Sequence, residues 1–310
     1  MALATRPGET LVTSAGPRVG ITFALLAYGS WGVIPLYWRL LDVVPSAEIL
    51  AYRVVFSFVF IGAFLLATGS MHDLASTLKR PRTLGLLAVS SVLIGVNWGI
   101  FIAAIQLRRL SDASLGYFMN PLVSVLLGVV VLRERLRRLQ LVAVVLAGLA
   151  LVFLIILGGG VPWISVVLAL TFALYGLVRK TVPVGATAGL MVETLALLPL
   201  GVGYLAWLGQ SGSHAMTNGP RVVVLALASG PITAVPLIWF SRAARALPLS
   251  TLGLTQYVAP TLQFLVAVFV FGEAMPALKW CAFGAIWVAL GVFSVDLVRV
   301  AQRYRLPSGS

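Results

Sequence analysis

The sequence predicts an all-α polytopic membrane protein of ten transmembrane helices, arranged as two inverted five-helix repeats with both termini in the cytoplasm. Three observations lead to this fold class: the chain is very apolar, its apolar runs have the length of membrane spans, and part of its sequence repeats. Of the 310 residues, 60% are hydrophobic and 10% are charged, and the mean hydropathy is +1.03. A soluble domain carries roughly 25% charged residues. This composition therefore excludes a soluble globule, and the single cysteine, Cys281, excludes a disulfide scaffold.

The apolar runs match the thickness of a bilayer. A hydrocarbon core of about 30 Å needs roughly 20 apolar residues of helix. The first run is too long for the apolar region of a signal peptide and is not followed by small cleavage-site residues. The ten predicted spans are 18–38, 48–67, 83–106, 113–131, 138–157, 162–180, 187–208, 220–241, 250–271 and 277–297.

The basic residues orient these spans. The chain has 22 Lys and Arg against 9 Asp and Glu, a net charge of +13. Basic residues collect in cytoplasmic loops, and with both termini inside the cell the division is 16 to 6. The excess therefore reports topology, and no nucleic-acid partner is expected. The cytoplasmic set is Arg6, Arg18, Lys79, Arg80, Arg82, Arg133, Arg135, Arg137, Arg138, Arg179, Lys180, Arg242, Arg245, Arg299, Arg303 and Arg305; the outer set is Arg39, Arg53, Arg108, Arg109, Arg221 and Lys279.

An internal repeat divides the chain in two. Segments 110–139 and 249–278 align without a gap at an offset of 139 residues, and in each a proline precedes a glutamate by 13 residues. Because each half contains five helices, an odd number, the halves must enter the membrane in opposite senses. Inverted repeats of this kind recur in secondary transporters. The repeated pairs are Pro121 with Pro260 and Glu134 with Glu273, and weaker matches link Tyr28 with Tyr175 and Glu48 with Glu193.

The predicted organisation follows from the repeat. A cytoplasmic tail (1–17) precedes the first five-helix repeat (18–157), a glycine-rich joint (158–161) and the second repeat (162–297), and a second cytoplasmic tail (298–310) follows. Glu134 and Glu273 fall at helix ends, where a charged cap or a salt bridge between the halves is expected. Spans five and ten are uniformly apolar, which suits a peripheral or dimerising position.

Several runs of residues resemble one known family. They are Trp31-Gly32, Ala51-Tyr52-Arg53, Asn97-Trp98, Ala113 to Leu122, Glu193-Thr194-Leu195, Pro248 to Leu254 and Gln256 to Thr261. Over nearly the whole chain the sequence is similar to the RarD (chloramphenicol-sensitive protein) branch of the EamA-like transporters. The resemblance implies the drug/metabolite transporter fold and an inner-membrane solute carrier that works as an exporter. The chain departs from the branch at Tyr52, where a His is expected.

Polar and aromatic side chains at helical spacing form the candidate solute site. In span four Tyr117, Pro121 and Ser124 share one face, and Gln256, Pro260 and Gln263 occupy the equivalent face of span nine. Such stripes line a cavity or join helices by hydrogen bonds. The predicted cavity lining is Tyr28, Trp31, Arg53, Asn97, Trp98, Tyr117, Asn120, Tyr175, Gln256, Tyr257 and Gln263, with Pro121 and Pro260 as helix-breaking residues.

Two ionisable residues lie inside predicted spans, and intramembrane charges are functional by default. Glu193 is about two turns into span seven, and we expect it to bind the proton or cation that drives transport. Arg53 lies at similar depth in span two, from the opposite face of the membrane. For Arg53 the alternative is a structural role, with the guanidinium reaching out to the interface.

Enzyme motifs are absent from the sequence. No Gly-Lys dipeptide exists, so there is no phosphate-binding loop, and neither His72 nor His214, each in a predicted loop, joins other residues at metal-ligand spacing. We therefore expect no catalysis, no cofactor and no metal. The sequence predicts a secondary transporter of small organic metabolites or drug-like solutes, with membrane lipids and a second copy of the chain as further partners. A non-transporting sensor and a lipid flippase remain as alternatives.

Overall fold

The computed structural model describes residues 17–132, 138–158, 162–213, 215–246 and 255–285, together with 287, 288, 291, 292 and 295. Every regular element within these ranges is helical. Glu134, residues 159–161 of the predicted joint, and both predicted tails apart from Pro17 lie outside the described residues. The polytopic all-α prediction can therefore be compared with most of the apolar part of the chain.

The helices follow the predicted spans closely. The eight longest described helices begin and end within five residues of spans one to eight. The first half contains α1 (Pro17–Arg39), α2 (Ser46–Ala67), α3 (Met71–Leu78), α4 (Pro81–Gln106), α5 (Leu110–Leu132) and α6 (Arg138–Gly158). The second half contains α7 (Trp163–Thr181), α8 (Ala186–Gln210), a 3-10 turn (Ala215–Asn218), α9 (Pro220–Ala246), α10 (Val258–Leu265), a π-helical turn (Val266–Val270) and helical residues at 277–285.

Length and composition mark several of these helices as membrane spans. Five are long and apolar enough to cross a bilayer, at Val19–Arg39, Ser46–Ala67, Pro81–Gln106, Thr187–Gln210 and Pro220–Phe240. Two shorter apolar helical stretches run over Trp163–Arg179 and Val258–Val270. Apolar side chains also cover much of the outer surface: Phe269, Leu200 and Ile156 are each more than 70% exposed. Lipid tails are the solvent that suits such a surface, so the protein is a multi-pass membrane protein.

One short helix was not predicted. The connection between the second and third spans contains α3, and His72 lies in this helix rather than in a loop as the sequence suggested. Leu74 and Thr77 of α3 are buried, and the helix packs against α4 and α8. At eight residues it is too short for a span, and its amphipathic face forms only where neighbouring helices receive it. His214 lies outside the described residues.

The helices of the two halves interleave, so that the core lies between them. Helix α1 packs against α9 and α10, α2 against α8 and α9, α4 against α7 and α8, and α5 against α7 and α10. Residues from both halves therefore share one apolar cluster, which contains Trp38, Ile49, Ile105, Leu168 and Ala226. Helix α6 packs against α5 and exposes Leu149 and Ile156, which places it at the periphery.

A glycine lets two of these helices approach closely. A Cβ atom at Gly230 of α9 would lie 2.3 Å from the backbone oxygen of Phe56 in α2, closer than real contacts allow. Small residues at such crossings bring backbones together and increase van der Waals contact between membrane helices. The crossing holds α2, the helix that carries Arg53, against α9.

Candidate functional site

Two buried charges lie at the same distance from the start of their helices, one in α2 and one in α8. Arg53 comes seven residues after the first residue of α2, and Glu193 seven residues after the first residue of α8. Both side chains are buried, at 6% and 1% exposure. The sequence placed both residues inside spans. The alternative for Arg53 was a guanidinium that reaches out to the interface, but the structure shows this side chain buried. What differs between them is the surroundings.

Arg53 lies between two tryptophan rings. Its guanidinium carbon Cζ is 4.0 Å from the centroid of the Trp98 ring and 5.3 Å from that of Trp38. Among the described residues no acidic side chain forms an ion pair with Arg53, and its Nε is buried without a hydrogen-bond partner. A cation–π contact contributes about 0.5–2 kcal/mol, whereas desolvating an ion costs several kcal/mol. The aromatic rings therefore offset only part of this burial.

Glu193, in contrast, has a full set of protein partners. Its Oε1 accepts a hydrogen bond from the Ser90 hydroxyl of α4 at 2.6 Å, and its Oε2 accepts one from the Tyr175 hydroxyl of α7 at 3.3 Å. Arg179 of α7 forms an ion pair with it, with Nη1 3.7 Å from Oε1. This arrangement can hold a charged carboxylate or a protonated acid, because hydroxyl groups donate to the first and accept from the second.

A glycine makes room for that ion pair. Gly189 lies one turn before Glu193 on α8, and a Cβ atom there would be 2.0 Å from Nη1 of Arg179. Sequence reasoning missed both Ser90 and Arg179; it counted Arg179, at the end of predicted span six, only among the basic residues of the cytoplasmic side. The signal for Arg179 was available, because Tyr175 and Arg179 are four residues apart and share a face of α7. No local signal pointed to Ser90.

Asn97 and Tyr117 belong to a network that joins three helices. The Asn97 side-chain amide donates to the Leu168 carbonyl oxygen at 3.1 Å and to the Thr171 hydroxyl at 2.9 Å. Its Oδ1 accepts a hydrogen bond from the Tyr117 hydroxyl at 2.9 Å. The Tyr117 ring packs edge-on against Phe101 and Phe172. The network holds α4, α5 and α7 beside one another, and it anchors α4 at the residue that precedes Trp98.

The predicted aromatic stripe of α1 packs against the second half. Tyr28 and Trp31 lie 5.5 Å apart by ring centroids, and Phe240 of α9 contacts both rings at 6.0 and 5.7 Å. Trp31 remains half-buried, and its backbone oxygen accepts a hydrogen bond from Nε2 of Gln263 at 3.0 Å. Helix α10 is therefore tied to α1 by a residue of the predicted lining.

Three predicted lining residues of α5 and the span-nine segment present polar atoms without protein partners. Oδ1 of Asn120, Oε1 of Gln263 and the hydroxyl of Tyr257 are buried, and none has a hydrogen-bond partner among the described residues. Such atoms are costly to bury unpaired, at about 1–3 kcal/mol each, and a bound solute or water can satisfy them. Arg53 also belongs to the predicted cavity lining, and its Nε likewise has no hydrogen-bond partner among the described residues.

The remaining predicted residues are less informative. Gln256 is half-buried just before α10, and the buried Pro260 accepts a hydrogen bond at its carbonyl oxygen from the Ser114 hydroxyl at 2.7 Å. Pro121 falls within α5, but its side chain and that of Ser124 lie outside the described residues. The structure thus pairs the proline of span nine with a polar group of span four.

Other buried acids have structural partners. Glu273 accepts hydrogen bonds from the backbone N–H groups of Leu110 and Ser111 at 2.6 and 2.8 Å, which caps the N-terminus of α5 across the two halves, as expected for a charged cap. Asp112 pairs with Arg109 at 2.6 Å and with Lys279 at 2.9 Å. Glu48 accepts from Tyr52 and from the backbone N–H of Ala215. In the described part of the chain no three His, Cys, Asp or Glu residues come together as a metal site would require.

The fold and the buried polar residues define the class of protein, a polytopic helical membrane protein with ionisable groups between its halves, and comparison with known sequences names the family. The profile of the EamA-like transporter family matches residues 18–156. Protein RarD of Streptomyces exfoliatus is 45% identical over 93% of this chain and 92% of its own length. An uncharacterized transporter of Vibrio cholerae is 42% identical over 93% of this chain and 96% of its own length. The chain belongs to the EamA-like transporter family, in the branch of proteins named RarD.

A solved structure supports the fold independently. One crystal structure superposes with a TM-score of 0.59 over 90% of this chain and 98% of its own chain. The two sequences are 19% identical, so this likeness concerns the fold alone. Because the relatives are named as transporters and not as enzymes, the protein is a membrane transporter of the drug/metabolite family.

Proposed function

We propose that the protein is a secondary-active exporter of small organic metabolites or drug-like solutes in the bacterial inner membrane, with ten transmembrane helices in two inverted halves. The observation that carries this proposal is a group of buried polar atoms in predicted lining residues that have no hydrogen-bond partner among the described residues. They include atoms of Arg53, Asn120, Tyr257 and Gln263, all of which belong to the predicted cavity lining. Unpaired polar atoms in a membrane protein are expected where a polar solute passes.

The pairing of the helices supports an inverted repeat. If each helix is exchanged for its counterpart five spans away, α1–α9 becomes α4–α7, α2–α9 becomes α4–α8, and α1–α10 becomes α5–α7; all six of these pairs are in contact. The α2–α8 and α5–α10 pairs map onto themselves. A cavity between such halves has two equivalent ways to open, one toward each side of the membrane.

Transport is tested by reconstituting the full chain in liposomes with a panel of neutral, anionic and cationic small organic solutes. We expect saturable flux of at least one class, and at least a tenfold loss in Asn120→Ala, because Oδ1 of Asn120 has no hydrogen-bond partner among the described residues. Thr261→Ala is the matched control, because the Thr261 hydroxyl is exposed and donates to the Tyr257 carbonyl oxygen one turn earlier in the chain. A folded wild-type protein that moves no solute class would favour the non-transporting sensor.

Glu193 is the residue we propose for coupling to a proton. The groups that face it are Ser90 from α4 and Tyr175 and Arg179 from α7. In proteoliposomes a proton gradient is expected to accelerate wild-type flux, and Glu193→Gln, which can still hydrogen-bond to Ser90, should lose the acceleration while binding solute. An unchanged rate and an unchanged response to pH in Glu193→Gln would remove this role.

A further inference from the structure

We infer that the solute of this transporter carries a carboxylate, which binds the guanidinium group of Arg53 between Trp38 and Trp98. The inference rests on the transport function proposed above and adds the chemical class of the substrate. It follows from a comparison of all the buried charges that the structure describes, from the shape of the guanidinium group, and from the charge around it.

Arg53 differs from every other buried charged residue in the described ranges. The buried acids are Glu48, Asp112, Glu193 and Glu273, and each accepts hydrogen bonds or an ion pair from named protein groups. Arg53 is the buried base, and no described acid forms an ion pair with it. Among the described residues, each buried acid has at least one protein partner, whereas the buried base has no counter-ion.

The tryptophan rings do not provide a hydrogen-bond acceptor for Nε of Arg53. Aromatic rings attract the positive charge through their π faces, but they do not accept the in-plane N–H bonds as an oxygen does. Nε of Arg53 is buried without a hydrogen-bond partner in the described part of the chain. A guanidinium group presents its donors as a planar fork that matches the two oxygens of a carboxylate. The group therefore lies ready for a planar, two-oxygen anion.

The surrounding charge favours a carboxylate over a phosphate ester. A phosphate monoester carries close to two negative charges at neutral pH, and a buried dianion would need a second cation. The structure shows no other basic side chain against the Trp38 and Trp98 rings within the described residues. One guanidinium group balances one carboxylate. The adjoining rings and the apolar cluster around them suit the hydrocarbon part of an organic acid.

The experiment compares acids with their own amides. Full-length protein in liposomes is tested for counterflow of phenylacetate and octanoate beside phenylacetamide and octanamide, which have nearly the same shape and no charge. We expect the carboxylates to move at least tenfold faster than the amides through the wild-type protein. Arg53→Gln is expected to lose at least tenfold of the carboxylate flux. Arg53→Lys, which keeps the charge and loses the fork, should raise the half-saturation concentration for the acids alone.

Arg39→Gln is the matched control, because Arg39 also lies over an aromatic ring, with Cζ 5.7 Å from the Phe271 centroid, but is only partly buried. It should transport as the wild type does. Equal wild-type flux of acid and amide, or wild-type carboxylate flux in Arg53→Gln, overturns the inference. If Arg53→Gln does not fold, judged by its elution from a sizing column, the half-saturation shift in Arg53→Lys decides, and its absence overturns the inference.

A binding measurement separates this inference from the proposed function. Tryptophan fluorescence of the detergent-solubilised protein is titrated with phenylacetate, since two indole rings adjoin Arg53. Saturable quenching in the wild type and in Arg39→Gln, but not in Arg53→Gln, supports the anion site even if no flux is found. Flux of neutral solutes that is insensitive to Arg53 leaves transport in place and rejects the carboxylate. If the wild type shows neither binding nor flux of any carboxylate, the inference is rejected as well.

Discussion

The regions around Glu193 and Arg53 lie in matching helices of the two halves and treat a buried charge in opposite ways. Glu193 receives a hydroxyl from α4 and a hydroxyl and a guanidinium from α7. Arg53 contacts two tryptophan rings, and within the described ranges no acidic side chain forms an ion pair with it. Each residue lies seven positions after the first residue of its helix, so the distance from the helix start does not explain the difference. It shows that a buried charge is stabilised or left available by its neighbours on other helices.

The largest expected effect comes from removing the acid. Glu193→Ala leaves Arg179, Ser90 and Tyr175 without their common acceptor, and breaking a buried ion pair lowers the free energy of unfolding by about 3–5 kcal/mol. Unfolding in mixed micelles by titration with SDS measures this loss. Glu193→Gln retains hydrogen bonding and should lose clearly less. Equal losses in the two variants would show that the charge itself contributes nothing to stability.

A smaller effect is expected from moving the arginine away from the acid. Gly189→Ala places a Cβ atom 2.0 Å from Nη1 of Arg179, so the guanidinium must shift. We expect unfolding to become easier by about 1–2 kcal/mol, less than for deletion, because Ser90 and Tyr175 still reach Glu193. Gly203→Ala on the same helix is the control, since its Cβ atom would meet nothing within 4 Å. If both alanine variants behave alike, the close approach at Gly189 has no consequence.

Removal of a single hydroxyl should have a still smaller effect. Ser90→Ala deletes the 2.6 Å hydrogen bond to Glu193, and a loss of about 1 kcal/mol in unfolding free energy is expected. Its neighbour Ser91 provides the control, because the Ser91 hydroxyl donates to the Leu87 carbonyl oxygen of its own helix, at 2.6 Å. Ser91→Ala should stay close to the wild type. A greater loss at Ser91 than at Ser90 would argue against the Glu193 contact.

The smallest effect on stability is expected at Arg53. Arg53→Met keeps much of the volume and leaves no described acid without a partner, so the free energy of unfolding should stay within about 1 kcal/mol of the wild type or rise. The same SDS titration measures it. A loss comparable to that of Glu193→Ala would mean that Arg53 has a counter-ion, and the contrast between the two regions would then disappear.

The sequence predicted the helices better than the contacts. Spans one to eight agree with the observed helices to within five residues, because about twenty apolar residues suffice to mark a span. Helix α3 was missed, since an eight-residue amphipathic segment depends on α4 and α8 to bury Leu74 and Thr77. Arg179 was counted only as a marker of the cytoplasmic side, because charge counting by itself does not distinguish a topology marker from an ion-pair partner.

In the candidate site, too, the sequence predicted the residues better than their contacts. Arg53, Asn97, Tyr117 and Glu193 were chosen from the sequence because polar groups inside apolar spans need partners. The sequence did not indicate that the Asn97 amide donates to the Leu168 carbonyl oxygen of α7, 71 residues away. Nor did it indicate that Tyr117, 20 residues from Asn97, donates to it. Hydrogen-bond partners between helices depend on packing, and no periodicity within one helix encodes it.

The sequence by itself determined that this chain spans a membrane, where its helices run and which side chains would be expensive to bury, because these follow from local hydrophobicity and helix geometry. The tertiary structure decided which of those side chains are satisfied. Ser90 is 103 residues from Glu193 in sequence, yet donates to it at 2.6 Å. Trp38 and Trp98, from two other helices, surround Arg53 and bring it no acid. The physical reason is that the free-energy cost of removing a polar side chain from water depends on the span in which it lies. The interactions that offset this cost come from the helices packed beside that span.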